Sequence, residues 1–199
     1  MLRLVLTLAL LATLAAPANA PESGPDSGSD LLGTPAPDWA FTRAVRDGKG
    51  SLADYRGKVV LLRWWTTGCH FCETTLPVIE TLRREHARDG LVTIGVFHPK
   101  PEPHGMSDRA IVAAAEARGY HGPLVFDRDW KTLGRYWLDG HDERSWTSVS
   151  FLIDRAGTIR WVQGGGEYHP SADPEHRRCD TKYRELEQVL AEVLAEPTP

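Results

Sequence analysis

The chain is short of cysteine, carries no block of like charge and shows no internal repeat. Three cysteines are too few for a small secreted fold held by a disulfide framework. The 23 Lys and Arg residues against 27 Asp and Glu leave a formal charge of −4 with no long run of one sign, which argues against a nucleic-acid footprint. No similarity recurs at a solenoid period. What remains is 199 residues, 41% hydrophobic and 25% charged, the profile of one ordinary globular domain.

The N-terminus departs from that profile. Met1, Leu2 and Arg3 precede an almost wholly apolar run over residues 4–16, followed by the small-residue triplets Ala16-Pro17-Ala18 and Ala18-Asn19-Ala20. One positive charge, a short apolar stretch and a small-x-small site make a secretory signal peptide over residues 1–20. Pro21 disfavours a cut after Ala20, so a cut after Ala18 fits at least as well. The run falls short of the roughly 20 residues that span a bilayer, which weakens the alternative of a permanent anchor. No cysteine follows it, so there is no lipid-attachment site. The expectation is export to a periplasmic or other extracytoplasmic compartment without stable membrane insertion. Residues 21–32 read as a flexible linker rich in Ser, Gly and Pro, and residues 33–196 as the domain.

Within the domain, residues 58–65 form an apolar run of β-formers that fits a strand buried on both faces, and it ends at the pair Cys69 and Cys72. Helical spacing of Leu76, Ile79 and Leu82 follows, with a kink predicted at Pro77 and a stop at Asp89-Gly90. Residues 91–97 read as a second strand, Ser107 opens an Ala-rich helix that ends near Gly119, and residues 124–126 read as a short strand before a short helix near 130–136. Strands over 149–153 and 158–162 flank the turn Asp154-Arg155-Ala156-Gly157. Asp173-Pro174 opens a last amphipathic helix carrying Tyr183, Leu186, Leu190 and Val193. This order predicts an α/β fold, a mixed sheet with helices on both faces.

A CxxC where a buried strand meets a helix puts its first sulfur among the unpaired N–H groups of the helix N-terminus, which favour a thiolate. Cys69 is then the exposed nucleophile and Cys72, one turn deeper, the resolving thiol, a pair able to cycle between dithiol and disulfide. The alternatives are a static disulfide, which gains little from so short a loop, and half of a zinc site, which lacks a second CxxC.

The stretches Gly33-Thr34-Pro35-Ala36-Pro37-Asp38-Trp39 and Ser51-Leu52-Ala53-Asp54-Tyr55-Arg56-Gly57-Lys58, the CxxC with Pro77, and Phe151-Leu152-Ile153-Asp154-Arg155 with Gly157 resemble the TlpA/ResA-type thioredoxin-like redoxins of the AhpC/TSA superfamily. The resemblance implies a thioredoxin fold with a central mixed β-sheet, an N-terminal β extension and an inserted strand-helix unit. It implies an exported thiol-disulfide oxidoreductase in which Cys69 attacks, Cys72 resolves, Trp65 precedes the motif and Pro77 bends the helix. No cofactor beyond the cysteine pair is implied; the partners are a protein thiol or disulfide client and a membrane electron donor or acceptor. Residues 164–169 are similar to redoxins fused to DipZ-type transporters.

The departures are specific. Ser148 stands where the family has its cis-proline, Gly68 where a Trp is frequent, Thr75 where relatives often carry Glu, and Arg63 where thioredoxins carry a buried Asp. Ser148 makes the groove beside the sulfurs more polar, and the usual proton-shuttling carboxylates are missing. Arg63 and His70 both favour a thiolate if they lie near the sulfurs; the alternative for Arg63 is a strand-edge arginine paired with an acid elsewhere.

His98 is expected at the same sheet edge as the CxxC, either as a proton relay or metal ligand or as a solvated loop residue among Pro99, Pro101 and Pro103. His104, His121, His141, His169 and His176 read as scattered filler, Cys179 as an inert core cysteine, and Glu167, Tyr168 and His169 as part of a polar surface turn. Trp146 is the aromatic expected to meet a partner. A competing function is a copper metallochaperone using Cys69, Cys72 and His98, with copper as its metal. A further one is a thiol peroxidase built on Thr66 and Cys69, in which Leu62 replaces the proline of that motif.

Overall fold

The computed structural model describes residues 28–39, 41, 43–100 and 106–198. The expected signal peptide over 1–20 and His104 lie outside these residues. Among the described residues, no helix is long and apolar enough to cross a membrane.

The apolar run becomes β2 (Val59–Trp65), every residue of it buried. Alternation sends Val59, Leu61 and Trp65 to one core and Val60, Leu62 and Trp64 to the other, as a central strand with two covered faces requires. It pairs in parallel with β3 (Leu91–Phe97) and antiparallel with β5 (Ser150–Ile153). The connection to β3 is α1 (His70–His86), which buries Cys72, Leu76, Ile79 and Leu82 and runs through Pro77 without interruption.

Beyond β3 come α2 (Asp108–Glu116), capped by the Ser107 hydroxyl accepting from Ala110 N, and β4 (Leu124–Phe126). The edge strand β1 (Arg43–Arg46) pairs antiparallel with β4, and β6 (Ile159–Gln163) closes the opposite edge, giving the order β1-β4-β3-β2-β5-β6. The expected N-terminal extension is therefore the single strand β1. The expected inserted unit is α2 with β4.

The short helix predicted near Trp130 is split into α3 (Lys131–Leu133) and a π-helical turn, Gly134–Leu138. Buried Asp127 organises it by accepting from Thr132 N, Leu133 N and Trp64 Nε1. The last helix begins later than Asp173: that side chain caps a 3-10 turn, Pro174–His176, and α4 (Arg177–Ala195) follows, burying Tyr183, Leu186, Leu190 and Val193.

The linker expectation over 21–32 needs correction at its C-terminal end. Gly28 has φ +72°, and a Cβ on it would stand 2.5 Å from Val162 Cγ1. Asp30 accepts from buried Arg144 at 2.5 Å, and Gly33 N donates to Ile159 O. The packed domain thus includes residues 28–32, because Gly28 lies against Val162 of β6 and Asp30 pairs with Arg144 in the segment before β5.

The β5–β6 turn follows from Asp154. Its carboxylate accepts from Ala156 N at 3.0 Å and Thr158 N at 2.8 Å, and Gly157 takes a positive φ of 87°. Asp154→Ala strips those acceptors and the contact with Arg160, and is expected to cost about 1–2 kcal/mol, read as a lower urea midpoint at unchanged slope.

Candidate functional site

The site forms where β2 stops. After Trp65 the chain turns through Gly68, at φ +74°, so that Cys69 becomes the N-cap of α1 and Cys72 lies in its first turn. The two are joined as a disulfide with Cα atoms 5.3 Å apart. Cys69 is half-buried; Cys72 is 0% exposed. The outer cysteine is therefore partly open to solvent at a helix N-terminus, whereas the inner one is sealed in the core.

Ser148 brings its hydroxyl onto both sulfurs, Oγ lying 3.1 Å from Cys69 Sγ and 3.6 Å from Cys72 Sγ. Pairing of Trp64 N with Val149 O holds the segment before β5 against β2, and so fixes where Ser148 sits.

Arg63 stands behind it. The side chain is fully buried on the central strand, so the strand-edge reading with an acid partner is corrected. It donates to Ser148 O at 2.7 Å, Gly166 O at 2.9 Å and Ser150 Oγ at 3.4 Å. Burial lowers its pKa to about 10, still cationic at neutral pH, with Tyr168 and Glu167 acting against that shift. A guanidinium fork on two carbonyls joins the Ser148 segment to the loop after β6.

Trp65 is buried edge-on to Phe97 at 5.0 Å, a wall of the core that also holds Cys72. His70 lies on the exposed side of α1, its ring 6.2 Å from Phe71. Phe71 packs edge-on against Trp146 at 5.7 Å, and Trp146 is 53% exposed. Exposed Glu73 lies 3.8 Å from Arg118, and buried Thr75 has no hydrogen-bond partner among the described residues.

The solvated reading of His98 is wrong. It does sit at the carboxyl edge of β3, its N–H donating to Trp65 O, but the ring is fully buried edge-on to Trp130 at 5.3 Å. Neither ring nitrogen has a partner among the described residues. Burial drives its pKa down to about 3, with Lys100 and Arg63 pushing the same way and the backbone of Trp65 opposing.

Cys179 and two of the scattered histidines are also corrected. Cys179 is half-buried in the first turn of α4, with Sγ 3.8 Å from Glu167 Oε1. Ligand atoms of Glu167, His169, His176 and Cys179 lie within 4.8 Å of one another. Tyr168, between the first two, is no surface residue: it is buried with its hydroxyl 3.0 Å from Ser150 Oγ. The spacings Glu-x-His and His-x-x-Cys were the available signal, and reading each histidine singly hid it.

Residues 32–162 match the model of the AhpC/TSA family. The thiol-disulfide oxidoreductase ResA of Geobacillus kaustophilus is 28% identical over 134 residues, 67% of this chain and 70% of that protein. Protein DipZ of Mycobacterium tuberculosis is 29% identical over 119 residues, 59% of this chain but 16% of that longer protein. Among solved structures, a Bacteroides thetaiotaomicron protein described as a disulfide isomerase superposes with a TM-score of 0.63 at 27% identity, covering 83% of this chain and 91% of its own. With the cysteine pair inside the matched span and at the head of α1, the chain belongs to the AhpC/TSA family as one of its thioredoxin-like thiol-disulfide oxidoreductases.

Proposed function

We propose that the chain is exported and exchanges its Cys69–Cys72 disulfide with cysteines of client proteins outside the cytoplasm. The observation that carries this reading is the asymmetry of the pair, one sulfur reachable at a helix N-terminus and the other sealed beneath it. In the reducing direction, the Cys69 thiolate attacks a client disulfide and expels one client thiolate, leaving a mixed disulfide. The Cys72 thiolate then attacks Cys69 Sγ, re-forms the internal disulfide and releases the second client thiolate. Running the steps backwards oxidises a client dithiol. Two electrons move in either direction, and a membrane partner resets the pair.

Ser148 is the residue we assign to thiolate stabilisation, since its hydroxyl can donate to either sulfur. Arg63 acts as a positioning residue through the Ser148 carbonyl. Trp146 and Phe71 form an aromatic rim beside Cys69 on which a client segment can rest. ResA and the disulfide isomerase, by their names, support the same chemistry.

The copper reading draws no support from the geometry, because His98 is packed on Trp130 and the polar group on the sulfurs is Ser148. The peroxidase reading draws none either, because the Thr66 hydroxyl makes no hydrogen bond among the described residues.

Two measurements test the reading. In the reduced protein, Ser148→Ala is expected to slow alkylation of Cys69 near neutral pH by roughly three- to tenfold, the loss of one hydrogen bond to a charged sulfur. An unchanged rate would remove Ser148 from the mechanism. Export is checked by the mass of the protein in the extracytoplasmic fraction, expected to begin after Ala18 or Ala20; an uncleaved chain retained in the cytoplasm would refute it.

A further inference from the structure

We propose that Glu167, His169, His176 and Cys179 bind one Zn(II) ion, in a site separate from the redox cysteines. The four ligand atoms already lie within 4.8 Å of one another, while tetrahedral zinc separates its ligands by roughly 3.3–3.8 Å. Cys179 Sγ and His176 Nδ1 are 3.8 and 4.0 Å from Glu167 Oε1, so small side-chain rotations complete the shell.

The set has the right chemistry. One thiolate, two imidazoles and one carboxylate suit a borderline ion; magnesium and calcium ask for oxygen throughout. A thiolate and a carboxylate also neutralise a divalent cation at a half-buried place. On binding, the Cys179 thiol releases its proton to solvent as the S–Zn bond forms.

Groups behind the ligands aim them inward. His169 Nδ1 faces Pro170 O at 3.2 Å, which favours the tautomer whose Nε2 carries the lone pair. That Nε2 is buried and has no hydrogen-bond partner among the described residues, a cost that a metal would remove. Glu167 Oε2 accepts from Thr74 Oγ1 at 2.5 Å, leaving Oε1 turned toward the cluster. His176 occupies the N-cap position of α4 and Cys179 lies three residues on, which places both on one side of that helix start. Side-chain exposure of 43% at His176 provides the entry path.

The ion would tie the loop after β6 to the start of α4. Through Thr74, two residues beyond Cys72, and through Gly166 O on Arg63, that loop touches the elements that hold the redox pair. Zinc therefore braces the redox site without entering it.

The test uses the full chain with Cys69–Cys72 kept oxidised, so that neither redox sulfur can ligate, stripped with a chelator and titrated with Zn(II) against a chromophoric competitor. One equivalent bound with submicromolar affinity is expected, and Co(II) in its place is expected to give a thiolate charge-transfer band with the strong visible bands of a tetrahedral site. Cys179→Ser and His169→Ala are each expected to weaken binding about 10- to 100-fold or more while disulfide exchange at Cys69 stays intact, which also shows that the variants fold. In the unaltered protein, Zn(II) is expected to slow alkylation of Cys179 at least tenfold. Absence of micromolar binding, binding untouched by both substitutions, or an unprotected Cys179 would overturn the proposal. None of these results bears on the exchange reaction, which the redox pair performs with or without the ion.

Discussion

Cys69→Ser is expected to reduce turnover of a protein disulfide to the uncatalysed background, whereas Cys72→Ser preserves the first attack and strands the protein on its client as a mixed disulfide. The difference follows from position. Cys69 is the sulfur that solvent and a client can reach, and the helix N-terminus with the Ser148 hydroxyl favours its thiolate. Cys72 is wholly enclosed, so its only accessible electrophile is Cys69 Sγ once the outer cysteine carries a client. Non-reducing electrophoresis after mixing with a disulfide-bearing protein separates the two variants. A Cys69→Ser protein that still forms mixed disulfides through Cys72, or a Cys72→Ser protein that forms none, would reverse the assignment.

The second large effect is on stability below neutral pH, and it comes from His98. Unfolded, this imidazole titrates near 6.5; in the fold burial holds it at about 3. Between those values the folded state binds fewer protons than the unfolded one, so the His98 contribution is complete above pH 6.5 and is lost as the pH falls toward 3. The slope is about 1.4 kcal/mol per pH unit, or roughly 3 kcal/mol by pH 4. Buried acids add their own pH dependence: burial raises Asp127, while Glu80, which burial alone would raise, is held low by hydrogen bonds from Arg83 and His121 N. Those contributions are common to the unaltered protein and to His98→Leu, whose side chain is of similar size and needs no hydrogen bond. The stability difference between the two, from urea unfolding at pH 4 to 8, should therefore change by about 3 kcal/mol in favour of the leucine variant at the acid end. A difference that stays flat across that range would mean His98 is not buried neutral.

What the sequence announced and what it concealed divide along local and tertiary lines. An apolar run broken only by Arg63, a CxxC at its end and helical spacing behind it are local signals, and they placed β2, the cysteine pair and α1. The periodicity of Tyr183, Leu186, Leu190 and Val193 likewise marked the buried face of α4. His98 was hidden because its neighbours in sequence are prolines while its cover, Trp130, arrives from a segment over thirty residues away. Arg63 announced a charge in a core strand, but not its partners, which are carbonyls of Ser148 and Gly166 brought over by β5 and the loop after β6.

Cys179 shares the period of the α4 core residues and so looked interior, yet it occupies the first turn, where the loop from β6 passes and supplies Glu167 instead of an apolar neighbour. His169 and His176, seven residues apart, are brought ring to ring by the turn between them, a proximity that reading each histidine singly hid. Residues 28–32 looked like linker by composition alone; their fixing groups, Asp30 on Arg144 and Gly28 beneath Val162, are again contacts across the sequence.

Equilibrium thiol trapping of the mature protein across a series of redox buffers, read by mass spectrometry, tests the central claim most directly. One reversible two-electron transition confined to Cys69 and Cys72, with Cys179 unchanged in redox state throughout, is the expected result. A pair that stays oxidised or reduced at every poise, or a transition that draws in Cys179, would contradict it.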